Sequence, residues 1–320
     1  MSGGFVLSGR GQRGLVLTAM LVAFGYVAFS MWGGWHEVGS AMAKVGALHM
    51  AAILFMSLVN YGLRFVRWQA YLHALGHPVP WRPSLPIYLA GFALTTTPGK
   101  AGEALRGVLL QPWGVPYAKS FAAFFSERLS DLLAIVLLAL LGLSAYPDAG
   151  PVVAAGVLLV LAGAAVLSQG RAIDALERSL ARRDDRLARM GRPVLQVIAQ
   201  ARRCQRAGLL AGATALSLAA WGAEAVAFHW LLGWMGADVP LVFAVFVYAV
   251  AMLAGALSFL PGGLGGAEAV MVALLVWKGM PAADAVAATV LTRLATLWFA
   301  VAIGLCCLPR GGKLQGESSP

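Results

Sequence analysis

Long apolar runs, separated by short polar segments, constrain this chain more than any other feature of its sequence. A helix of about 20 apolar residues can cross a bilayer, and it satisfies its backbone hydrogen bonds internally, as hydrocarbon requires. Because 60% of the 320 residues are hydrophobic and 12% are charged, against about 25% charged residues in soluble domains, the sequence predicts an all-α polytopic membrane protein. The expected spans are residues 15–32, 44–63, 117–146, 151–168, 207–235 and 281–308, with an outer loop at 33–43.

Two further apolar segments are broken by Pro and Gly into pieces too short to cross a bilayer comfortably. They are residues 84–113 and residues 239–278. Proline removes a backbone donor and glycine accommodates positive φ, so both residues stop a helix. We therefore expect two re-entrant helical hairpins beside about six spanning helices. The residues expected to form the breaks are Pro98, Gly99, Gly102, Pro261, Gly262, Gly263 and Gly265.

Basic residues set the predicted orientation. The net charge of +10 could suggest nucleic-acid binding, but no nucleic-acid motif is present. The layout of six spans and two hairpins instead places the Lys- and Arg-rich segments on one side of the membrane. The positive-inside rule then puts both termini in the cytoplasm, and the composition is compatible with a bacterial inner membrane. Residues 171–206 hold ten Arg against four acidic residues, with apolar residues at helical spacing interrupted by Pro193. This pattern fits either an amphipathic helix on an anionic leaflet or a solvated loop.

The two halves of the chain match each other at nearly constant offsets. A shift of 165 residues places Glu103 on Glu268 and Arg128 on Arg293, and upstream a shift of 160 aligns Gly and Pro residues. Because the first unit is expected to start outside and the second inside, we predict an inverted repeat of the kind found in transporters. The segments are residues 1–43 (N-terminus and first span), 44–146 (first unit), 147–170 (linking span), 171–206 (basic loop), 207–308 (second unit) and 309–320 (tail).

Charged residues within the apolar segments indicate a functional site, because they are costly in hydrocarbon unless they are paired or hydrated. Each unit offers one carboxylate from its hairpin and one arginine from its long helix. Arginine binds two phosphate oxygens with its fork, and a helix N-terminus attracts anions, so we predict a site for a phosphate-bearing lipid headgroup. Its expected binding residues are Lys100, Glu103, Arg106, Arg128, Glu268 and Arg293, supported by Glu127, Asp131 and Glu224. Glu127, Arg128 and Asp131 also fit a purely structural ion-pair cluster.

No catalytic or metal-binding pattern accompanies these residues. Ser126 has no histidine paired with it as a base, and Lys100 lacks the spacing of a phosphate-binding loop. The three cysteines, Cys204, Cys306 and Cys307, show neither CxxC nor Cys/His metal spacing. We therefore expect no enzyme activity, no cofactor and no metal.

Three motifs in combination resemble a known family. They are Pro98-Gly99-Lys100-x-Gly102-Glu103-x-x-Arg106, Glu127-Arg128-x-x-Asp131 and Pro261-Gly262-Gly263-x-Gly265-x-x-Glu268. The resemblance is to the lysylphosphatidylglycerol synthase transmembrane region family of flippase-like membrane proteins, over residues 15–308. In the best-known members this region moves aminoacylated phosphatidylglycerol between leaflets, and other members accompany glycosyltransfer or hopanoid pathways. This chain ends at Pro320 without a soluble aminoacyl-transfer domain, so the resemblance implies a stand-alone lipid translocase.

Two functions stay open on the sequence. The first is a flippase-like transporter that moves an anionic or aminoacylated phospholipid, or a polyprenyl-phosphate-type lipid, between leaflets. The second is a non-catalytic membrane subunit that presents a lipid to a partner glycosyltransferase or other lipid-modifying enzyme. An embedded enzyme that acts on lipid headgroups is disfavoured, because such an enzyme needs a nucleophile with a matched base.

Overall fold

A computed structural model describes residues 35–96, 101–144, 147–182, 185–258 and 260–308. Within these ranges every regular element is helical, so the all-α prediction is confirmed. The expected first span at 15–32, the hairpin-break residues Pro98 and Gly99, the adjoining Lys100, and the tail at 309–320 lie outside the described residues.

The helices follow the predicted order of long spans and short pairs. The first half contains α1 (Trp35–Val45), α2 (Ala47–Ala74), α3 (Trp81–Ala90), α4 (Ala101–Leu110) and α5 (Tyr117–Leu143). The connecting segment contains α6 (Gly150–Ser168), α7 (Gly170–Ala181) and α8 (Arg186–Arg203). The second half contains α9 (Ala207–Trp234), α10 (Leu241–Leu257), α11 (Gly266–Trp277), α12 (Ala282–Arg293) and α13 (Phe299–Cys306). A π-helical turn, Leu294–Trp298, joins α12 to α13.

Four of the described helices are long and apolar enough to cross a membrane. They are Ala47–Ala74, Gly150–Ser168, Ala207–Trp234 and the continuous helix Ala282–Cys306. The 27-residue α5 has the length to cross as well, but it carries charged residues near its middle. The pairs α3 with α4 and α10 with α11 consist of shorter helices, as the broken segments predict. These features define a polytopic membrane protein.

The region around residue 46 differs from the prediction. Residues 35–45, expected to lie mostly in an outer loop, form the helix α1. Gly46, at φ 77°, separates it from α2, which extends beyond the expected span at 44–63 and ends at Ala74. The sequence predicts that the segment runs on past residue 63 through Arg64 and Arg67. The helix extends inside the bundle because both arginines find carboxylates there.

The turns between helices repeat from one half to the other. Gly76 and Gly236 follow α2 and α9 at φ 75° and 92°, a left-handed conformation that ends helices and favours glycine. The next residues then donate back into each helix, His77 to Leu72 at 3.0 Å and Ala237 to Leu232 at 2.9 Å. The second turn repeats at the other offset, with Gly114 and Gly279 at φ 73° and 99° followed by Pro116 and Pro281 at the helix N-caps.

The helices α2 and α9 run antiparallel and cross near their midpoints. Each has 28 residues, and the middle residues touch where the Asn60 side-chain amide donates to the Ala220 carbonyl at 2.9 Å across a separation of 160 residues. His49, near the start of α2, stacks on Trp234 at the end of α9 with ring centroids 4.1 Å apart. Residues related by the sequence offset therefore face each other at the crossing.

The basic segment forms two amphipathic helices, and α8 is part of the bundle. Ala201 on α8 and the following Cys204 are fully buried in a core that also contains α5 residues. Burial raises the pKa of the Cys204 thiol to about 11. The expected interruption at Pro193 is wrong, because α8 continues through this residue. Buried residues lie on both sides of Pro193, at Ala188 and Ala201. Leu176, Met190 and Val194 stay exposed. Whether the segment lies on an anionic leaflet or in solvent therefore depends on the face that carries these residues.

Candidate functional site

Six charged side chains from three helices form the first site, which we call the arginine cluster. Spacings of three or four residues place charged groups on one helix face. Helix α2 therefore presents two arginines to α5, and α5 presents two carboxylates and one arginine to α2. The members are Arg64 and Arg67 on α2, Arg106 on α4, and Glu127, Arg128 and Asp131 on α5.

Asp131 is the most heavily contacted carboxylate of the cluster. Its Oδ1 accepts from Arg67 Nη1 at 2.5 Å and from Trp221 Nε1 of the second half at 3.1 Å. Its Oδ2 lies 3.1 Å from the Nη2 atoms of both Arg64 and Arg128. A carboxylate offers about four acceptor sites, so these four donors use the full capacity of Asp131.

Glu127 is buried completely and pairs with two arginines. Its Oε2 accepts from Arg106 Nη1 at 3.0 Å, and its Oε1 lies 3.5 Å from Arg67 Nη2. The guanidinium of Arg106 also lies over aromatic rings, an arrangement that stabilises a cation in an apolar setting. The rings are those of Tyr88 at 4.3 Å, Trp68 at 5.2 Å and Phe92 at 5.8 Å from the guanidinium carbon.

The arginine cluster has more positive than negative charge. Among the described side chains, four arginines share two carboxylates, which is an excess of two positive charges. The Nε atoms of Arg64, Arg67 and Arg128 are buried and have no hydrogen-bond partner within the described residues. The Arg128 side chain is 29% exposed, whereas that of Arg67 is 0% exposed. An anion could therefore reach the cluster from the side of Arg128 and find donors that are not yet used.

The second site holds the break between α10 and α11. Arg293 on α12 donates from Nε to Glu268 Oε1 and from Nη2 to the Gly262 carbonyl, both at 2.7 Å, and its Nη1 lies 3.8 Å from the Met252 sulfur. Glu268 in turn accepts from the Gly265 amide at 2.7 Å, which satisfies a free donor at the start of α11. Gly262 and Gly265 have φ of 63° and 86°, values that glycine adopts without steric cost.

Glu224 on α9 lies between the two sites. It is 5% exposed, and its Oε2 accepts a hydrogen bond of 2.5 Å from the Tyr248 hydroxyl of α10. Among the described residues no Lys, Arg or His nitrogen lies within the 4.0 Å that defines an ion pair with it.

The structure brings most of the predicted residues together, with different partners. Glu268 contacts Arg293 as the offset suggested. Arg128 pairs with Asp131, three residues along its own helix, as the ion-pair cluster of Glu127, Arg128 and Asp131 predicts. Gly102 and Glu103 lie on α4, but the Glu103 side chain, like all of Lys100, is outside the described part. Whether these residues bind a substrate stays a prediction.

Sequence reasoning missed Arg64 and Arg67 as members of the site, because they seemed to lie at the inner end of a span. The internal offset contains the missing signal. Moving the expected span 207–235 back by 160 residues gives 47–75, close to the observed α2. Both arginines then fall within the helix rather than beyond it.

Comparison with known proteins agrees with this membrane architecture. The sequence model described as Lysylphosphatidylglycerol synthase TM region matches residues 15–304, and the chain belongs to this family. A UPF0104 membrane protein of Methanothermobacter thermautotrophicus is 24% identical over 93% of this chain and 97% of its own length. Another, from Pyrococcus horikoshii, is 21% identical over 90% of this chain and 94% of its own length.

Proposed function

We propose that this protein moves a phosphate-bearing lipid between the leaflets of a cytoplasmic membrane, without catalysing a reaction. The observation that carries the proposal is the arginine cluster, a largely buried group in which the described arginines exceed the described carboxylates by two positive charges. Buried charge is costly in a membrane protein, and an anionic headgroup would balance the excess. The lipid tails would stay in the surrounding hydrocarbon.

The charge balance favours a net-anionic headgroup over an aminoacylated one. A phospholipid with one phosphate, or a polyprenyl phosphate, brings negative charge to the cluster. A lysyl group on the headgroup would add two ammonium groups near four arginines, and like charges repel strongly at low dielectric. We therefore place anionic phospholipids and polyprenyl-phosphate-type lipids ahead of aminoacylated phosphatidylglycerol.

Movement between leaflets would come from an inverted repeat, with one half rocking against the other. Support comes from the antiparallel crossing of α2 and α9 and from the turns that recur at matching positions. Transporters built this way expose one central site to each side in turn. With α7 and α8 on the cytoplasmic side, the positive-inside rule places both termini there.

The first test is native mass spectrometry with lipid analysis on protein purified in mild detergent. Wild type should retain a phosphate-bearing lipid, and Arg128→Ala should retain about tenfold to a hundredfold less, since a hydrogen bond to a charged group contributes about 1.5–3 kcal/mol. Arg202→Ala is the matched control, because Arg202 forms a partly exposed pair with Asp174 outside the cluster. Equal lipid retention by Arg128→Ala and wild type would contradict the proposed site.

The second test is lipid movement in proteoliposomes, followed with headgroup-labelled lipids and an impermeant quencher. Wild type should move an anionic phospholipid or polyprenyl phosphate faster than lysylphosphatidylglycerol. A protein that binds such a lipid selectively but never moves it would instead support the subunit that presents lipid to a partner enzyme. A protein that neither binds nor moves any phosphate-bearing lipid would overturn the proposal.

A further inference from the structure

Glu224 differs from the three carboxylates that the structure places in the two sites. Glu127, Asp131 and Glu268 each accept from an arginine, at 3.0, 2.5 and 2.7 Å. Glu224 has the Tyr248 hydroxyl as its hydrogen-bond donor and, within the described ranges, no cationic nitrogen at ion-pair distance. A neutral donor compensates only part of the cost of a buried negative charge.

Its position is deep in the bundle. Glu224 follows Ala220 by one helical turn, and Ala220 is the residue at which α9 crosses α2. One turn corresponds to about 6 Å along the helix axis, so Glu224 lies close to the middle of a 28-residue helix. A carboxyl group at that depth lies away from bulk water on either side of the membrane. In such a position the neutral acid costs less free energy than the carboxylate.

The charged groups around Glu224 come from both halves of the chain. Arg64 and Tyr61 face it from α2, Asp131 from α5, Tyr248 from α10 and Arg293 from α12. Arg64 is bound to Asp131 and Arg293 to Glu268, so each arginine is held by its own half. A negative charge on Glu224 would attract both arginines, whereas the neutral acid would leave them with their present carboxylates.

We propose that Glu224 is a proton-binding site at the crossing of the two halves, and that its protonation controls how the halves contact each other. The carboxylate takes up one proton to become the neutral acid, which keeps its hydrogen bond to Tyr248 and leaves Arg64 and Arg293 to their own halves. Loss of the proton creates an anion that competes for these arginines across the crossing. This inference rests on the proposed function for its link to lipid movement, but the proton site itself does not.

Infrared difference spectroscopy tests the proton site without any transport. In proteoliposomes, wild type should show the carbonyl band of a buried neutral carboxylic acid that disappears as the pH rises. Glu224→Gln should lack this band, because glutamine keeps the shape and the contact with Tyr248 but binds no proton. Tyr248→Phe should keep the band and move it to higher frequency, since the carboxyl group loses a hydrogen bond. Glu177→Gln, on the exposed side of α7, is the control and should leave the band unchanged.

Two results would overturn the inference. One is a band that persists in Glu224→Gln, which would assign the proton to another group. The other is a wild-type spectrum without a pH-dependent band, which would mean that Glu224 does not exchange its proton. If Glu224→Gln misfolds, Tyr248→Phe still tests the inference. A band that does not move in Tyr248→Phe would then overturn it.

The pH profile of lipid movement separates this inference from the proposed function. In the pH range where the required form of Glu224 is the minor one, the wild-type rate should change by about tenfold per pH unit, as a single-proton step requires. Glu224→Gln should change by less than about twofold over the same range. If both proteins move lipid with the same profile, the inference that protonation of Glu224 controls the movement fails and the transport proposal stands. If neither wild type nor any variant moves lipid, the transport proposal fails and the infrared result alone decides the proton site.

Discussion

Arg128 and Arg293 occupy matching positions in the two halves, yet their surroundings differ. Arg293 has a 5% exposed side chain, and all three of its nitrogens have partners. Within the described residues, Arg128 has a 29% exposed side chain, one carboxylate partner and an unpartnered Nε. Arg128 therefore retains an unused donor, whereas Arg293 maintains the turn between α10 and α11. Matching positions therefore do not imply matching roles.

The same contrast extends to the whole charge distribution of the two halves. At the offset of 160, Arg64 corresponds to Glu224, and at the offset of 165, Asp131 corresponds to Thr296. Among the described residues, the first half collects arginines, whereas the second half holds one arginine–carboxylate pair and a buried carboxyl group with no cation at ion-pair distance. Some contacts between the halves are nevertheless preserved. The Trp221 indole donates to Asp131, and the hydroxyl of Tyr61, the matching residue, donates to the Thr296 carbonyl at 2.5 Å.

The largest expected effect comes from removing a carboxylate of the arginine cluster. Glu127→Ala leaves Arg67 and Arg106 without a fully buried partner, and breaking a buried pair costs about 3–5 kcal/mol. Thermal unfolding in detergent should show a strongly destabilised protein. Asp174→Ala, at the exposed pair with Arg202, is the control and should cost about 0–1 kcal/mol. Equal losses in the two variants would contradict the importance of burial here.

The next effect compares the two matching arginines directly. Arg293→Ala removes the donors of Glu268 and the Gly262 carbonyl, so we expect a loss of about 1–3 kcal/mol for the groups left unpaired. Arg128→Ala should cost less than about 1 kcal/mol, because Asp131 keeps its other donors. The same unfolding measurement applies to both. If Arg128→Ala is as destabilised as Arg293→Ala, the proposed difference between the halves is wrong.

A smaller effect is expected at the crossing of α2 and α9. Asn60→Ala removes the hydrogen bond to the Ala220 carbonyl, and such bonds between membrane helices contribute about 0.6 kcal/mol on average. The carbonyl keeps its bond within α9, so it is not left unpaired. The midpoint of thermal unfolding in detergent should therefore fall only slightly. A loss above about 3 kcal/mol would show that the crossing depends on this one contact.

The smallest effect concerns α8, which packs against α5 of the first half. Cys204 is buried and its thiol pKa is raised to about 11, and since the thiolate is the reactive form, a maleimide should label it slowly until the pH approaches that value. A cysteine introduced by Val194→Cys on the exposed face of α8, with Cys306 and Cys307 changed to Ser, should react about tenfold faster or more. Equal rates at neutral pH would show that α8 does not dock as described.

The sequence by itself determined the helices, the broken pairs and the family of this protein. Apolar runs of bilayer length leave a single chain segment little choice but to be helical, and Pro and Gly stop helices for local steric reasons. The contact of Glu268 with Arg293 was also accessible, because the repeated spacing of 25 residues between a glutamate and an arginine marked the two as a pair. The turns at Gly76 and Gly236 are local in the same way.

Only the tertiary structure decided which charges meet. Arg64 and Arg67 looked like the end of a span, and they lie inside the bundle because α5 places Asp131 and Glu127 beside them. Glu224 on α9 meets the Tyr248 hydroxyl of α10. The partner of a long charged side chain depends on which helices are neighbours and on how far the side chain reaches. That information is absent from local sequence patterns, which describe one helix at a time.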